Sequence, residues 1–372
     1  MRGPSLRVTE VAGRGDLRRF VELPYALYAG HPLWVPPLRG EVMHQLTAHP
    51  FHRHAESRYF LAERGGRVVG RIAAIIDRRY NEFHGTRAGA FGYFECAEDS
   101  GAARALLETA CDALRAGGAA AVFGPASPSS NGEFGLLIKG FEHMPAVMMP
   151  YQREHYREFV EDFGFVKGKD LLAYEIARER LDARTLELFE RLRARASDIT
   201  VRPVDPRRFA GEVARMLAVY NAAWERNWGF VPMTDEEFRH EAAAMKRILD
   251  PRVVFIAECA GVPVGVALSV PDVSVALKAA GGRLFPLGAL RFAWRARGIT
   301  RLRTILLGVV RGFRDRGLDG IMVGETIRRG LAAGYTATEC SWILEDNRAM
   351  CRPLEKLGGV VTKVYRVYER PL

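Results

Sequence analysis

The chain is poor in the features that mark several protein classes. Five cysteines, Cys96, Cys111, Cys259, Cys340 and Cys351, stand in 372 residues. Their number is odd and their spacing scattered. That excludes a disulfide framework and reads as reduced thiols, most of them buried. No uninterrupted run of about 18 apolar residues occurs, so no spanning helix is expected. Residues 1–20 lack the apolar core of a secretion signal, and a cytoplasmic location is the expectation. Zinc-finger spacing, an RNP aromatic signature and a lysine-rich tail are all missing, so no nucleic-acid partner is expected. His44, His49, His52 and His54 crowd one stretch, but their spacing matches no common zinc pattern. They read as a polar loop after a short helix, and no metal is expected. What is present is a globular composition, 48% hydrophobic and 26% charged, with a net charge of +10 carried mainly by arginine. With nucleic acid set aside, that cation excess points to an anionic cofactor or an anionic membrane surface.

The length allows two domains. The most informative stretch is 302–334. Ile305 to Val310 reads as a buried strand. A basic turn with Arg311, Arg314 and Arg316 follows. Gly317 then opens a helix that ends at Gly334. A strand leading through a glycine turn into a helix N-terminus is an anion site, because backbone N–H groups and the helix dipole both favour negative charge there. A pyrophosphate fits. A Walker A loop and a dinucleotide G-x-G-x-x-G are both absent. Downstream, Ala337 to Leu344 reads as a second strand, Asn347 to Leu357 as a helix closed by Gly358 and Gly359, and Val361 to Tyr368 as a final strand.

Arg314-x-x-Gly317-x-Asp319 resembles the acyl-CoA pyrophosphate loop of the GNAT acyltransferase superfamily, with Asp319 in place of a small residue. Asn347 and Gly358 match the Asn and Gly of that superfamily's second motif. The resemblance implies that Arg314, Asp315, Arg316, Gly317, Leu318 and Asp319, together with Asn347, hold an acyl-CoA donor. It also implies that the backbone of Leu307, Gly308 and Val309 forms an oxyanion hole for the thioester.

The chain repeats itself. Phe60-Leu61-Ala62-Glu63-Arg64-Gly65-Gly66-Arg67-Val68-Val69-Gly70 matches Phe255 to Gly265, each reading as a β-hairpin. Phe163-Gly164-Phe165 before a strand parallels Leu357-Gly358-Gly359 before another. The expected fold is therefore α/β: two tandem GNAT-like units, each a mixed central sheet flanked by helices. The first covers 1–180 and the second 181–372. In the first, the acidic run Glu95 to Asp99 stands where the arginine cradle should be. An acidic loop repels pyrophosphate, so this unit's cofactor site reads as degenerate. Its loop from Gly124 to Gly135, rich in Pro, Ser and Gly, suits a substrate wall or a surface loop. In the second unit, Thr234-x-x-Glu237 is a capping box. Residues 271–300 form an unusual insertion in which large apolar side chains alternate with arginines. That composition suits an interfacial helix, a lid over an acyl chain or a domain contact.

Acyl transfer also needs a base for the acceptor ammonium. Glu339 and Glu345 share one face of the second strand and are the candidates. A carboxylate inside a covered sheet is costly unless it is used or paired. The tyrosine that the superfamily places seven residues after the motif asparagine is Leu354 here. A thiolate with a pKa of about 8.5 leaves without full protonation, so its loss does not exclude turnover.

Over its whole length the chain is similar to a bacterial family of tandem GNAT proteins related to the bacterial ceramide synthases. His31-Pro32-Leu33-Trp34-Val35-Pro36-Pro37-Leu38, Gly92-Tyr93-Phe94-Glu95, Gly124-Pro125, Asn131-Gly132-Glu133-Phe134-Gly135, Gly282 to Pro286 and Ser341 to Asn347 carry the likeness. It implies an N-acyltransferase that takes acetyl-CoA or a longer acyl-CoA and a hydrophobic or sphingoid-type amine, with peripheral contact to the inner membrane face through 271–300. Small-molecule or protein N-acetylation, and acyl-CoA binding without catalysis, are the alternatives.

Overall fold

A computed structural model describes residues 5–372 apart from 182, 197 and 315. In chain order the elements are β1 (Leu6–Glu10), α1 (Arg14–Leu27), α2 (Arg39–Thr47), β2 (Ala55–Arg64), β3 (Arg67–Asp77), α3 (Arg78–His84), β4 (Ala88–Cys96), α4 (Ser100–Ala116), β5 (Ala121–Gly124), β6 (Ala126–Ser127), β7 (Glu133–Phe134), β8 (Leu136–Lys139), α5 (His155–Asp162) and β9 (Val166–Ala177). They continue with α6 (Ala183–Arg195), β10 (Ile199–Pro203), α7 (Phe209–Trp224), α8 (Asp235–Met245), β11 (Val254–Cys259), β12 (Val262–Pro271), α9 (Ser274–Ala280), α10 (Gly288–Ala296), β13 (Arg301–Val309), α11 (Arg311–Arg314), α12 (Leu318–Ala332), β14 (Ala337–Leu344), α13 (Arg348–Lys356) and β15 (Val360–Pro371).

These elements form two compact units that interleave in sequence. The first takes Met1–Leu171, Ser274–Arg295 and Lys363–Leu372; the second takes Leu172–Val273 and Ala296–Thr362. The division therefore differs from a cut at 180/181. The first half's closing strand β9 is divided at Leu171/Leu172, most of the last strand β15 counts with the first unit, and so does most of the 271–300 stretch. Within that unit the Arg39 N–H donates to the Gly282 carbonyl, 3.1 Å away. Long-range pairing of this kind leaves no trace in local sequence.

The first unit's sheet runs β1-β2-β3-β4-β5 and continues to β15. β2 and β3 are the first copy of the repeated hairpin, turning at Gly65 and Gly66 with φ of 57° and 77°. That is the left-handed pair a tight hairpin demands. α4 lies on one face, with Ala102, Leu106, Ala110 and Leu114 four residues apart and buried among Phe60, Ile72, Phe91 and Phe94.

The second unit's sheet runs β10-β11-β12-β13-β14 and then β9. β11 and β12 are the repeat's second copy, turning at Ala260 and Gly261. α8 begins with the expected capping box of Thr234 and Glu237. One face of the sheet packs Phe255, Ala257, Ala267 and Val309 against Leu318, Ile321 and Met322 of α12. β13 and β14 pair in parallel only from Arg301↔Ala337 to Thr304↔Cys340. Ile305 is an extra residue on β13, since Leu306 faces Leu268 and Thr304 faces Ser269. Such a bulge bends the strand and ends local pairing.

Candidate active site

Past Thr304 and Cys340 the two parallel strands diverge, and the second unit's main cavity lies beside them. It measures about 100 Å³. Ile305 and Leu307 of β13 and Ser341 to Leu344 of β14 line it. So do Val323, Thr326 and Ile327 of α12, Trp224 and Asn227 after α7, and Asn347, Met350 and Leu354 of α13. A smaller cavity of about 40 Å³ shares Ile176, Thr326, Ile327 and Thr338 with it and continues along α12 to Leu302, Gly330 and Leu331. The walls are mainly apolar, as an acyl chain requires, with Asn227, Thr326, Ser341 and Asn347 among the polar exceptions.

The direction of the N–H groups along β13 follows from its ladder with β12. Val310 donates its N–H to Val264 across the β12–β13 ladder. Antiparallel residues alternate in hydrogen-bond direction, so Gly308 and Leu306 also point to β12. The N–H groups of Leu307 and Val309 therefore point the other way, toward the side that β14 has left. Trp224 closes over this strand: a Cβ at Gly308 would lie 2.2 Å from its ring. Only glycine admits that close approach.

The basic turn behaves differently from a free cradle. Arg314 donates from Nε to the Val309 carbonyl at 3.0 Å and from a terminal nitrogen to the Ala223 carbonyl at 2.6 Å. It ties the end of β13 to α7. Arg316 is paired with Asp198 at 2.6 Å. Arg311 is exposed. Gly317 stands in the left-handed region before α12, Leu318 is fully buried, and Asp319 lies in the helix's first turn. Asp315 lies outside the described residues. Asn347 caps α13 without a side-chain bond to that helix, and its side chain lines the cavity.

Glu339 and Glu345 are not brought together at the cavity wall. Glu339 is 2% exposed and faces Arg303 of β13 in register. Ser341 Oγ donates to Glu339 Oε1 at 3.0 Å, and Arg303 Nε donates to Ser341 Oγ at 3.2 Å. Ser341 itself lines the cavity, so Glu339 lies one hydroxyl away from it. Glu345 sits in the turn before Asn347 and is half-buried. Cys340 also lines the cavity, but burial pushes its thiol up to about 12, which removes it as a nucleophile at neutral pH. Leu354 occupies the usual tyrosine position with its side chain buried against the cavity. Trp224, Asn227 and Thr326 were invisible in the sequence as site residues. They lie on helices or just past a helix end, and nothing in their spacing separates them from core.

In the first unit the corresponding space is filled. β4 and β5 pair in parallel only from Ala88↔Ala121 to Ala90↔Phe123. The chain after β5 then crosses into the gap. A Cβ at Gly92 would lie 1.8 Å from the Ala126 carbonyl oxygen, and the Tyr93 N–H donates to Ser127 Oγ at 2.9 Å. The acidic run is neutralised by its own unit: Asp99 caps α4 and pairs with Arg64 at 2.5 Å, and Glu95 accepts from Tyr28 and Tyr156.

No family model matches the chain. It is 37% identical over 376 residues to a bacterial ceramide synthase of Caulobacter vibrioides, covering 99% of this chain and 98% of that one. It is 33% identical over 368 residues to protein YghO of Escherichia coli, covering 96% and 94%. Among solved structures it resembles a tandem GNAT protein from the clavulanic acid biosynthesis pathway, with a TM-score of 0.57 at 15% identity over 99% of this chain and 98% of that one. A GCN5-related N-acetyltransferase from Sphaerobacter thermophilus matches with a TM-score of 0.55 at 14% identity, covering 98% and 95%.

Proposed function

The chain belongs to the family of tandem GNAT N-acyltransferases that includes a bacterial ceramide synthase, and from that premise we propose that it transfers a long acyl group from acyl-CoA to a hydrophobic amine. The observation that carries this reading is the mainly apolar cavity beside the outward N–H groups of Leu307 and Val309, prolonged along α12 by the second cavity. The thioester carbonyl accepts from those two N–H groups. The acyl chain runs past Thr326 and Ile327. The CoA pyrophosphate takes the N–H groups of Leu318 and Asp319 at the start of α12, while the Gly317 N–H stays on the Arg314 carbonyl at 3.1 Å. Asp319 opposes an anion there and weakens this grip. Asn347 Nδ2 holds the pantetheine amide. The acceptor ammonium loses a proton to Ser341 Oγ as the Ser341 proton passes to Glu339. The amine then attacks the thioester carbon, the C–S bond breaks, and the second amine proton passes to the departing thiolate, giving the neutral amide and CoA as free thiol. Glu345 ranks second as base, because it does not line the cavity.

Turnover of acetyl-CoA and decanoyl-CoA, measured as free thiol released with a long-chain amine acceptor, tests the donor class. Decanoyl-CoA is expected to exceed acetyl-CoA in kcat/KM by at least about tenfold, since each buried methylene adds to binding. Ile327→Trp fills the passage between the two cavities and is expected to reverse that order. Equal rates for both donors, unaltered by Ile327→Trp, would sink the long-acyl reading.

A lipid acceptor is supported by the surface of the segment around α10. Phe285 is 88% exposed, Leu290 68% and Trp294 65%. Leu287, Leu290 and Trp294 follow one another at helical spacing, flanked by exposed Arg283, Arg291, Arg295 and Arg297. Apolar side chains ringed by cations match the interface of an anionic bilayer. Among the described residues no helix is long and apolar enough to cross a membrane, so the contact is peripheral. The protein is expected to pellet with vesicles containing anionic lipid and to shift its Trp294 emission to the blue. Phe285→Ser/Leu290→Ser/Trp294→Ser should cut pelleting by at least about tenfold. Failure of the unmodified chain to pellet would remove the membrane from the account.

A further inference from the structure

The stretch His31-Pro32-Leu33 has no part in acyl transfer, yet it lines a separate cleft that lies wholly in the first unit. The cleft measures about 490 Å³, a volume ordinary for small-ligand sites, which run to about 300–1,000 Å³. The run from Tyr151 to His155 also lines it. Leu33, Phe141 and Tyr151 give it apolar walls, and the His31 and Tyr151 rings meet at 5.2 Å.

The more buried polar groups of this cleft are donors. Gln152 is 8% exposed, and its Oε1 accepts from the Leu137 N–H at 3.0 Å. That bond orients the amide and leaves its Nε2 hydrogens without a protein acceptor among the described residues. His31 is half-buried, and its Nδ1 accepts from the N–H groups of Leu33 and Trp34, each at 3.3 Å. Burial, with Arg153 and Lys278 nearby, holds this ring below its ordinary range, so it is neutral and carries its proton on Nε2. Arg153 donates to the Leu27 carbonyl and has no ion-pair partner among the described residues. Lys278 of α9 donates to the Pro32 carbonyl at the edge of the cleft and has none either. The carboxylates stand outside these donors. Glu142 and Glu154 are both exposed. Glu142 lies 3.4 Å from His143 Nε2, and Glu154 has no ion-pair partner among the described residues. A cleft graded in this way draws a negative group into its depth and a positive group to its mouth.

We infer that the cleft binds a zwitterionic phosphodiester, its oxyanion taken by Arg153, Gln152 Nε2 and His31 Nε2 and its cationic end by Glu154 and Glu142. A phosphodiester carries one negative charge, whereas a phosphate monoester carries close to two, which the two rim carboxylates oppose. Tyr151 and Phe141 add the aromatic surface that a cation favours. The same chemistry occurs in the head of a zwitterionic phospholipid and in a soluble glycerophosphodiester. α9 leads from Lys278 to the exposed Phe285, Leu290 and Trp294 within the same unit, which makes the lipid the nearer source. None of the acyl-transfer residues lines this cleft, so the site stands or falls separately from the transferase reading.

The test is calorimetric titration of the full chain with glycerophosphocholine. Glycerophosphoglycerol serves as the phosphodiester without a cation, and choline as the cation without a phosphate. One saturable site for glycerophosphocholine is expected, at least about tenfold tighter than for either counterpart. Arg153→Gln should weaken it by at least about tenfold. Glu142→Gln/Glu154→Gln should weaken it several-fold and bring the two phosphodiesters to similar affinity. The surface change Glu108→Gln should leave it unaltered. Thermal melting of each variant separates lost binding from lost fold, and the exposed rim pair keeps the test open if Arg153→Gln fails to fold. Pelleting with phosphatidylcholine vesicles distinguishes the sources: Arg153→Gln lowers it when the ligand is a lipid head and leaves it unchanged when the ligand is soluble. Absence of a saturable site, wild-type affinity in Arg153→Gln, or tighter binding of glycerophosphoglycerol would each overturn the inference.

Discussion

Arg303→Met is expected to destabilise the protein by about 3–5 kcal/mol, because it leaves a carboxylate buried without its facing cation. Arg303 and Glu339 are each 2% exposed and lie in register on neighbouring parallel strands, linked through Ser341. Coulomb attraction in this low-dielectric setting is large only while both charges are present. The double change Arg303→Met/Glu339→Leu removes both and should recover stability to within about 1–2 kcal/mol of the natural chain. Urea unfolding of the two single variants and the double variant gives the coupling directly. Additive losses, with no recovery in the double variant, would mean that Arg303 and Glu339 are not an electrostatic unit.

Glu339→Gln is expected to lower kcat by about 10²–10⁴-fold, the usual worth of a positioned proton acceptor. The amide keeps the shape and can still accept the Ser341 hydroxyl, so the dissociation constant for CoA should stay within about twofold. Ser341→Ala should reproduce most of the rate loss, because the carboxylate then has no hydroxyl through which to reach the cavity. Glu345→Gln should cost less than about tenfold, as its side chain does not line that space. Rapid-quench measurement of the acyl-transfer step with decanoyl-CoA separates these effects from product release. Full activity in Glu339→Gln would transfer the role of base elsewhere. Loss of CoA binding together with activity would mean that the Arg303–Ser341–Glu339 network holds the strands apart rather than moving a proton.

Much of the second unit was legible before any coordinates. Leu306 and Leu307 announce a strand, though it is half-buried there rather than buried, Gly317 the turn, Thr234 with Glu237 a helix start, and Asn347 the cap of a helix. Each is a local signal with a local cause. The side-chain bonds of the basic turn were not legible. Spacing places Arg314 in the loop, but cannot say that its guanidinium turns back to the carbonyls of Val309 and Ala223. Glu339 shows the same boundary from the other side. Alternation on β14 puts it on a covered face, yet only the parallel register with β13 brings Arg303 opposite. The filled space beside β4 in the first unit depends on a register shift against β3 between Arg71 and Ala73 and on a crossing loop 34 residues after Tyr93. Neither has a periodicity to read.

The interleaving of the two units also bears on synthesis. β5 lies beside β15 in the first unit, with Tyr368 opposite Gly124 and Pro371 opposite Ala121. When the ribosome has made residue 171, nearly everything else in that unit's sheet exists, but the strand that covers β5 does not. At about 5–20 residues per second, that edge stays open for roughly 10–40 s while the second unit is translated. An open strand edge is a template for pairing with any other nascent chain. The first unit's sheet must thus be kept from neighbours until Lys363–Leu372 arrive.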